Sequence, residues 1–277
     1  MIGFITWNID PEIFRLGPLS IRYYGLMWAL AFYVGYIIFS RFLKKEKLPQ
    51  EFLDSLTMYM IVGTVIGARL GHCLFYEPQY YLSNPLEILK IWHGGLASHG
   101  AAIGILISLY LFARKQKVPM VYVLDRVVIT VAIGGAFIRL GNLMNSEIYG
   151  VETTLPWGFI FERNGEILPK HPTQLYEALS YAIIFFILYR IYRKADGKLR
   201  DGFVFGIFLI LLFGARFLIE YVKEPQVEFE KTMMLNMGQW LSIPFILAGI
   251  GFIVYSYHKP NIYIPSEVKP VKNQNKK

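Results

Sequence analysis

Cysteine is almost missing from this chain: Cys73 is the only one in 277 residues. A lone thiol forms no internal disulfide and has no neighbour for a common metal motif, so Cys73 reads as a small packing residue, silent about redox compartment. Charge is scarce too, at 17% of residues against 55% hydrophobic, where an ordinary soluble domain carries about 25% charged residues. The formal net charge of +8 does not make a nucleic-acid binder, because the basic residues form short clusters between apolar runs rather than one stripe. HExxH and comparable ligand spacings are absent, which counts against a metal-dependent hydrolase built on His72, His93, His99 and His171. A Gly-x-Ser-x-Gly elbow is absent as well, which counts against a serine protease. Internal repeats are not evident. The opening MIGFITWNIDPEIFRLGPL has two early acids and two prolines where a secretory signal would have a basic stretch and an apolar core, so it reads as mature sequence.

What is abundant is apolar and aromatic: 21 Phe, 19 Tyr and several runs near the roughly 18 to 20 residues that cross a hydrocarbon layer as a helix. The expected fold is an all-α, polytopic transmembrane helical bundle of about seven helices. The proposed spans are Ser20 to Phe42, Phe52 to Tyr76, Leu96 to Ala113, Val121 to Leu140, Gln174 to Tyr189, Phe203 to Tyr221 and Met237 to Tyr257. The third and fifth are short enough to be tilted, partly buried or re-entrant. One integral membrane domain covers residues 1–258, and the polar tail 259–277 is expected to be a disordered cytoplasmic segment. Of the 28 Lys and Arg, 17 fall in the tail and in the connections at 41–50, 114–117 and 190–200, and seven fall on the other side. The positive-inside rule then puts the N-terminus outside and the C-terminus in the cytoplasm.

The remaining four basic residues are Arg69, Arg126, Arg139 and Arg216. Arg126, beside Asp125 near the inner end of its span, can snorkel or pair. The other three lie in the outer third of helices running from inside to outside, where positive charge is costly without an anionic partner. Internal pairing is one answer: Arg216 with Glu220 on one helix face, Arg139 with Glu147 in the following loop, Arg69 with Glu77. A cradle for a phosphate, which guanidinium binds bidentately, is the other, and at this depth a phosphate suggests a lipid head group. Tyr24, His93, His99, Asn142, Asn145, Glu147 and His171 fall at the same level. Singly, Tyr24 is a belt aromatic, the asparagines are turn residues and His99 is a structural histidine; their coincidence in depth is what points to a site. Gly63, Gly67 and Gly71 recur every four residues and predict close helix packing. A transporter or channel for an anionic solute is the main alternative, but a path needs polar residues through both halves, and these spans are nearly all apolar below the outer third.

Four stretches, IRYYGLMW from Ile21, HGGLASHGAAIG from His93, IRLGNLMNSEIYG from Ile138 and HPTQLYE from His171, together resemble the bacterial prolipoprotein diacylglyceryl transferase family. The third looks like the family signature Gly-Arg-x-Gly-Asn-Phe-x-Asn-x-Glu-x-x-Gly: Arg139, Gly141, Asn142, Asn145, Glu147 and Gly150 match, Ile138 replaces the leading Gly and Leu143 the Phe. RFLIEYVKEP from Arg216 resembles the family's Arg and Glu pair, with Leu212 where some members carry a tyrosine. The resemblance implies attack by a lipobox cysteine on the glyceryl carbon of phosphatidylglycerol at the outer face of the bacterial cytoplasmic membrane. A thioether forms and glycerol 1-phosphate leaves, the first step of lipoprotein maturation. The implied partners are phosphatidylglycerol, prolipoprotein signal peptides bearing the lipobox cysteine, and membrane lipids, with no nucleic acid, no cofactor and no metal. The expected catalytic residues are His99, as base for a thiol only slightly ionised at neutral pH, and Arg139 and Arg216, as stabilisers of the leaving phosphate. Direct activation of the thiol by the arginines is the rival to His99. Arg139, Asn142, Glu147, Tyr24, Glu220 and Arg69 are expected to bind the lipid.

Overall fold

A computed structural model describes residues 3–17, 19–91, 94–225, 233–258 and 262–263. The apolar runs form helices because a chain in hydrocarbon must satisfy its backbone polar groups within itself. In chain order these are α1 (Tyr23–Glu46), α2 (Gln50–Phe75), the short α3 (Pro78–Ser83), α4 (Ser98–Gln116), α5 (Met120–Met144), α6 (Thr173–Lys194), α7 (Phe203–Ile219) and α8 (Met237–His258). Between and before them lie β1 (Ile5–Trp7), β2 (Glu12–Leu16), β3 (Leu19–Arg22) and β4 (Phe159–Phe161). β1 pairs in parallel with β4, and β2 with β3 as an antiparallel hairpin. The tail proposed as disordered lies outside the described residues, apart from 262–263.

The protein is an all-α, polytopic membrane protein: among the described residues six helices are long and apolar enough to cross a membrane. The expected third span, α4, is not among them. Its apolar part, Ala101 to Ala113, lies between Ser98-His99-Gly100 and Arg114-Lys115-Gln116, about 20 Å of helix against a hydrocarbon core of about 30 Å. The expected fifth span is longer than its apolar run, because α6 runs on through Tyr189 to Lys194 as 22 continuous residues. α5 also runs past the expected Leu140, so Asn142 lies inside the helix and not after it.

The described residues pack as two compact units, those up to 39 with those of 125–262, and those of 40–124 with Tyr263. In the second unit α2 lies directly on α4. A Cβ on Gly67 would sit 2.8 Å from the Cα of Gly104, and one on Gly71 2.6 Å from the Cα of Gly100, so the small-residue face predicted on α2 meets a matching face on α4. Phe52 and Tyr59 pack edge-on against Phe112. α1 and α4 stop at Lys47 and Lys117, both left-handed at φ 56°, and each is followed two residues later by a proline that cannot extend a helix. Cys73 is fully buried and free.

In the first unit α6 packs on α7 and α7 on α8. Asp125 accepts the N–H groups of Gly202 and Phe205, each at 2.7 Å, at the start of α7. Arg126 does not snorkel: it is buried and donates to the Gly197 carbonyl at 2.9 Å. These two side chains therefore fasten the α6–α7 connection to α5. At the other end, Leu143, Phe159 and Phe161 form a small apolar core joined by Trp7, Tyr149 and Leu175. Trp7 Nε1 also donates to the Leu143 carbonyl at 3.0 Å. Leu143 thus fills the aromatic position of the motif with another apolar group.

Candidate functional site

The site in the first unit is built around a carboxylate that the sequence did not single out. Glu177, in the second turn of α6, is 1% exposed and faces three cations. Its Oε2 lies 2.9 Å from Arg139 Nε; its Oε1 lies 3.8 Å from Arg216 Nη1 and 3.5 Å from Lys223 Nζ. The Arg139 contact is a close ion pair without a straight N–H···O hydrogen bond, since Oε2 has no hydrogen-bond partner. An uncompensated carboxylate here would be expensive, and removing one partner of such a buried pair costs about 3 to 5 kcal/mol.

Arg139 also donates through Nη1 to Asn142 Oδ1 at 3.2 Å, since the two share a face three residues apart on α5. Asn142 Nδ2 passes the chain on to Glu147 Oε1 at 2.7 Å, and Asn145 Nδ2 reaches the same oxygen at 3.3 Å. Glu147 sits in a tight turn between Ser146 and Ile148, which have φ of 54° and 62°, a region a β-branched residue such as Ile148 rarely enters. The turn is held from α6: Gln174 Nε2 donates to the Glu147 carbonyl at 2.7 Å and Thr173 Oγ1 to the Ile148 carbonyl at 2.8 Å. Surrounding bonds thus fix a strained backbone, as at many functional sites. The ring of Tyr24 lies against Gly141, where a Cβ would be 2.8 Å from Cδ2, so Tyr24 stands two residues along α5 from Arg139.

The partners of the arginines correct the sequence reading. Arg139 pairs directly with Glu177 and reaches Glu147 only through Asn142. Arg216 pairs with Glu177, while Glu220 pairs with Lys223 at 3.7 Å. Glu220 in turn packs onto α8, where a Cβ on Gly238 would be 2.5 Å from its carboxyl carbon. The phenol of Tyr181 stands beside the Arg216 guanidinium, an aromatic hydroxyl supplied from α6 where Leu212 supplies none. Burial pushes the Lys223 ammonium below the usual lysine range, against Glu177 and Glu220, which push it up. The two guanidiniums therefore carry the secure positive charge.

Arg69 and His99 belong to the second unit. Arg69 does not pair with Glu77: it donates to the carbonyls of Glu87 (2.6 Å), Ile88 (2.9 Å), Gly94 (2.6 Å) and Gly95 (3.2 Å), and its guanidinium lies 4.9 Å from the Tyr81 ring centre. Glu77 is instead 3.7 Å from His72. His99 is exposed in the first turn of α4, and His93 lies outside the described residues. His171 contacts the Tyr176 hydroxyl at 3.1 Å through Nδ1. No three His, Cys, Asp or Glu side chains among the described residues converge as a metal set.

Two guanidiniums held by one buried carboxylate at one end of a membrane helix bundle define a class: an integral membrane protein with fixed positive charge at that level. Residues 11–255 match the profile of the prolipoprotein diacylglyceryl transferase family, and the chain belongs to that family. Three similar proteins are each named phosphatidylglycerol-prolipoprotein diacylglyceryl transferase. That of Tolumonas auensis is 49% identical over 91% of this chain and 97% of its own length; that of Chloroherpeton thalassium, 46% over 92% and 95%; that of Bacteroides fragilis, 44% over 93% and 97%.

Proposed function

We propose that this enzyme transfers the diacylglyceryl group of phosphatidylglycerol to the thiol of a prolipoprotein's lipobox cysteine, in a bacterial cytoplasmic membrane and near its outer face. The observation that carries the reading is the convergence of Arg139, from the family motif, and Arg216 on Glu177. The cysteine sulfur attacks the glyceryl carbon, a carbon-sulfur bond forms and the carbon-oxygen bond to phosphate breaks. The electron pair stays on the departing oxygen, so charge grows where a diester becomes a monoester. Guanidiniums already fixed by Glu177, Asn142 and Tyr181 stabilise that charge without first having to reorganise.

The thiol must lose its proton, and at an ordinary pKa near 8.5 little of it is ionised at neutral pH. His99 is assigned as the base on its motif and its exposed imidazole. Asn142 and Glu147 hold Arg139 and the turn, Tyr24 closes over Gly141, and Glu220 holds Lys223. Arg69, with its donors on backbone carbonyls, is assigned to shaping the loop after α3 rather than to the phosphate.

The bond that breaks tests the reading. With phosphatidylglycerol labelled in its terminal glycerol, the label should leave as soluble glycerol phosphate, one per preprotein modified, and only if the lipobox cysteine is intact. Free glycerol, free fatty acid or release from a serine-substituted preprotein would identify a different enzyme.

A further inference from the structure

The chain between α2 and α4 has to turn back so that α4 can lie on α2, and Arg69 is where it is fastened. The Arg69 side chain is buried, and its guanidinium holds four carbonyls, those of Glu87 and Ile88 on one stretch of the loop and those of Gly94 and Gly95 on another. The ring of Tyr81, itself buried, lies against the same guanidinium. Buried loop carbonyls need donors from somewhere, and here one planar fork supplies them. Gly94 and Gly95 have φ of 84° and 73°, a conformation that glycine adopts freely and a side chain resists. At Gly95 a Cβ would also stand 2.8 Å from Arg69 Nη1 and 2.5 Å from His72 Cδ2, so the loop lies directly on these two side chains of α2.

The fastening continues into α4. Ala97 donates its N–H at 2.9 Å to the carbonyl of Ala68, the residue before Arg69. Ala97 is also the N-cap of α4, and it has no side-chain oxygen with which to cap a helix. Further on, a Cβ on Gly100 would stand 2.7 Å from the Cα of Gly71. Ala97 and Gly100 are buried, whereas His99, between them, is exposed. Where α4 begins, and where the His99 imidazole is presented, is therefore set from α2: by the Arg69 fork ahead of the first turn and by the glycine contact within it. All of these residues belong to the second unit.

We propose that Arg69 is a positioning residue for transfer that acts through His99: by holding Gly94 and Gly95 it fixes the first turn of α4, and with it the place from which His99 serves the thiol. The inference rests on the assignment of His99 under Proposed function and adds the group that holds it. A reacting group set about 1 Å out of place can cost about 100-fold in rate, so a side chain that never meets substrate can still govern turnover.

A double-substitution cycle on the detergent-solubilised full-length enzyme tests this, with kcat and KM measured for Arg69→Lys, His99→Gln and the two together. Lysine keeps the charge, but an ammonium cannot span two stretches of loop as the fork does. Arg69→Lys should lower kcat about 10- to 100-fold and change the KM for phosphatidylglycerol by less than about threefold. In the His99→Gln background the same substitution should cost less than about twofold, because no imidazole is left to misplace. A loss as large without His99 as with it would overturn the inference and make Arg69 a general structural residue; near-normal turnover of Arg69→Lys would overturn it too. Should Arg69→Lys not fold, Gly95→Ala takes its place in the cycle, since its Cβ would push the loop off the guanidinium, and the same outcomes decide. Failure of the His99 assignment looks different: His99→Gln alone would then transfer at the wild-type rate, and the inference would fall with it.

Discussion

Glu177 shows what a single side chain can arrange: by standing between Arg139, Arg216 and Lys223 it fixes where two permanent positive charges sit. Charge alone is then not enough at those positions, since an ammonium cannot reach Glu177, Asn142 and a phosphate from one planar fork. Arg139→Lys should therefore lose about 100-fold or more in turnover of the purified enzyme, in line with the removal of one preorganised donor; near-normal turnover would mark Arg139 as structural. His99→Gln should still fold and bind lipid, yet transfer about 100-fold more slowly at neutral pH. Part of that loss should return as pH rises towards 9, where the substrate thiol ionises unaided; equal slowing at every pH would assign His99 to positioning. Arg139, Asn142 and Glu147 were legible because they share one motif with fixed spacing. Glu177 stands inside the quoted HPTQLYE, but its partners come from α5 and α7, and no spacing rule along a chain reports which helices will face each other.

At the scale of elements, the glycine face of α2 was readable and its partner followed from the structure: Gly100 and Gly104 of α4. The close approach makes a prediction. Gly67→Leu would drive its side chain into the α4 backbone, which cannot rotate away, and should lower the stability of the solubilised protein by about 3 kcal/mol, the upper end of overpacking costs. Gly251→Ala, with nothing within 4 Å of its Cβ, should change it by about 0.5 kcal/mol or less. Denaturation of both variants beside the wild type measures the difference, and equal midpoints would mean that the α2–α4 contact tolerates bulk. Helix existence was legible from apolar length; helix ends were not. α5 continues to Met144 because its last turns carry the polar residues of the site, which a hydropathy reading assigns to a loop. The three-residue strands β1 and β4 were invisible for another reason: neither is long enough to show alternation, and each needs the other as partner.

For the whole molecule, the orientation rests on the bias of 17 basic residues against seven. Three helices carry part of it in their last turns, at Lys44 and Lys45, Arg114 and Lys115, and Arg193 and Lys194, where positive charge also complements the helix dipole. Reporters fused after Lys45, Lys115 and Lys194 should read cytoplasm, and those near Glu87 and Glu162 the outside, a pattern in which α4 also crosses, its short apolar part matched by local thinning of the bilayer; the inverse pattern would remove the depth argument for the site. The pairing of β1 with β4 bears on how such a molecule is made. Ile5 leaves the ribosome about 150 residues before Phe159, and at about 5 to 20 residues per second the first strand waits roughly 8 to 30 s for its partner. Throughout that interval it is an unpaired edge, open to any other strand nearby, while the helices between are still being inserted. A bulky tag fused ahead of Gly3 would burden the segment that must stay free longest, so an affinity handle belongs at the other terminus.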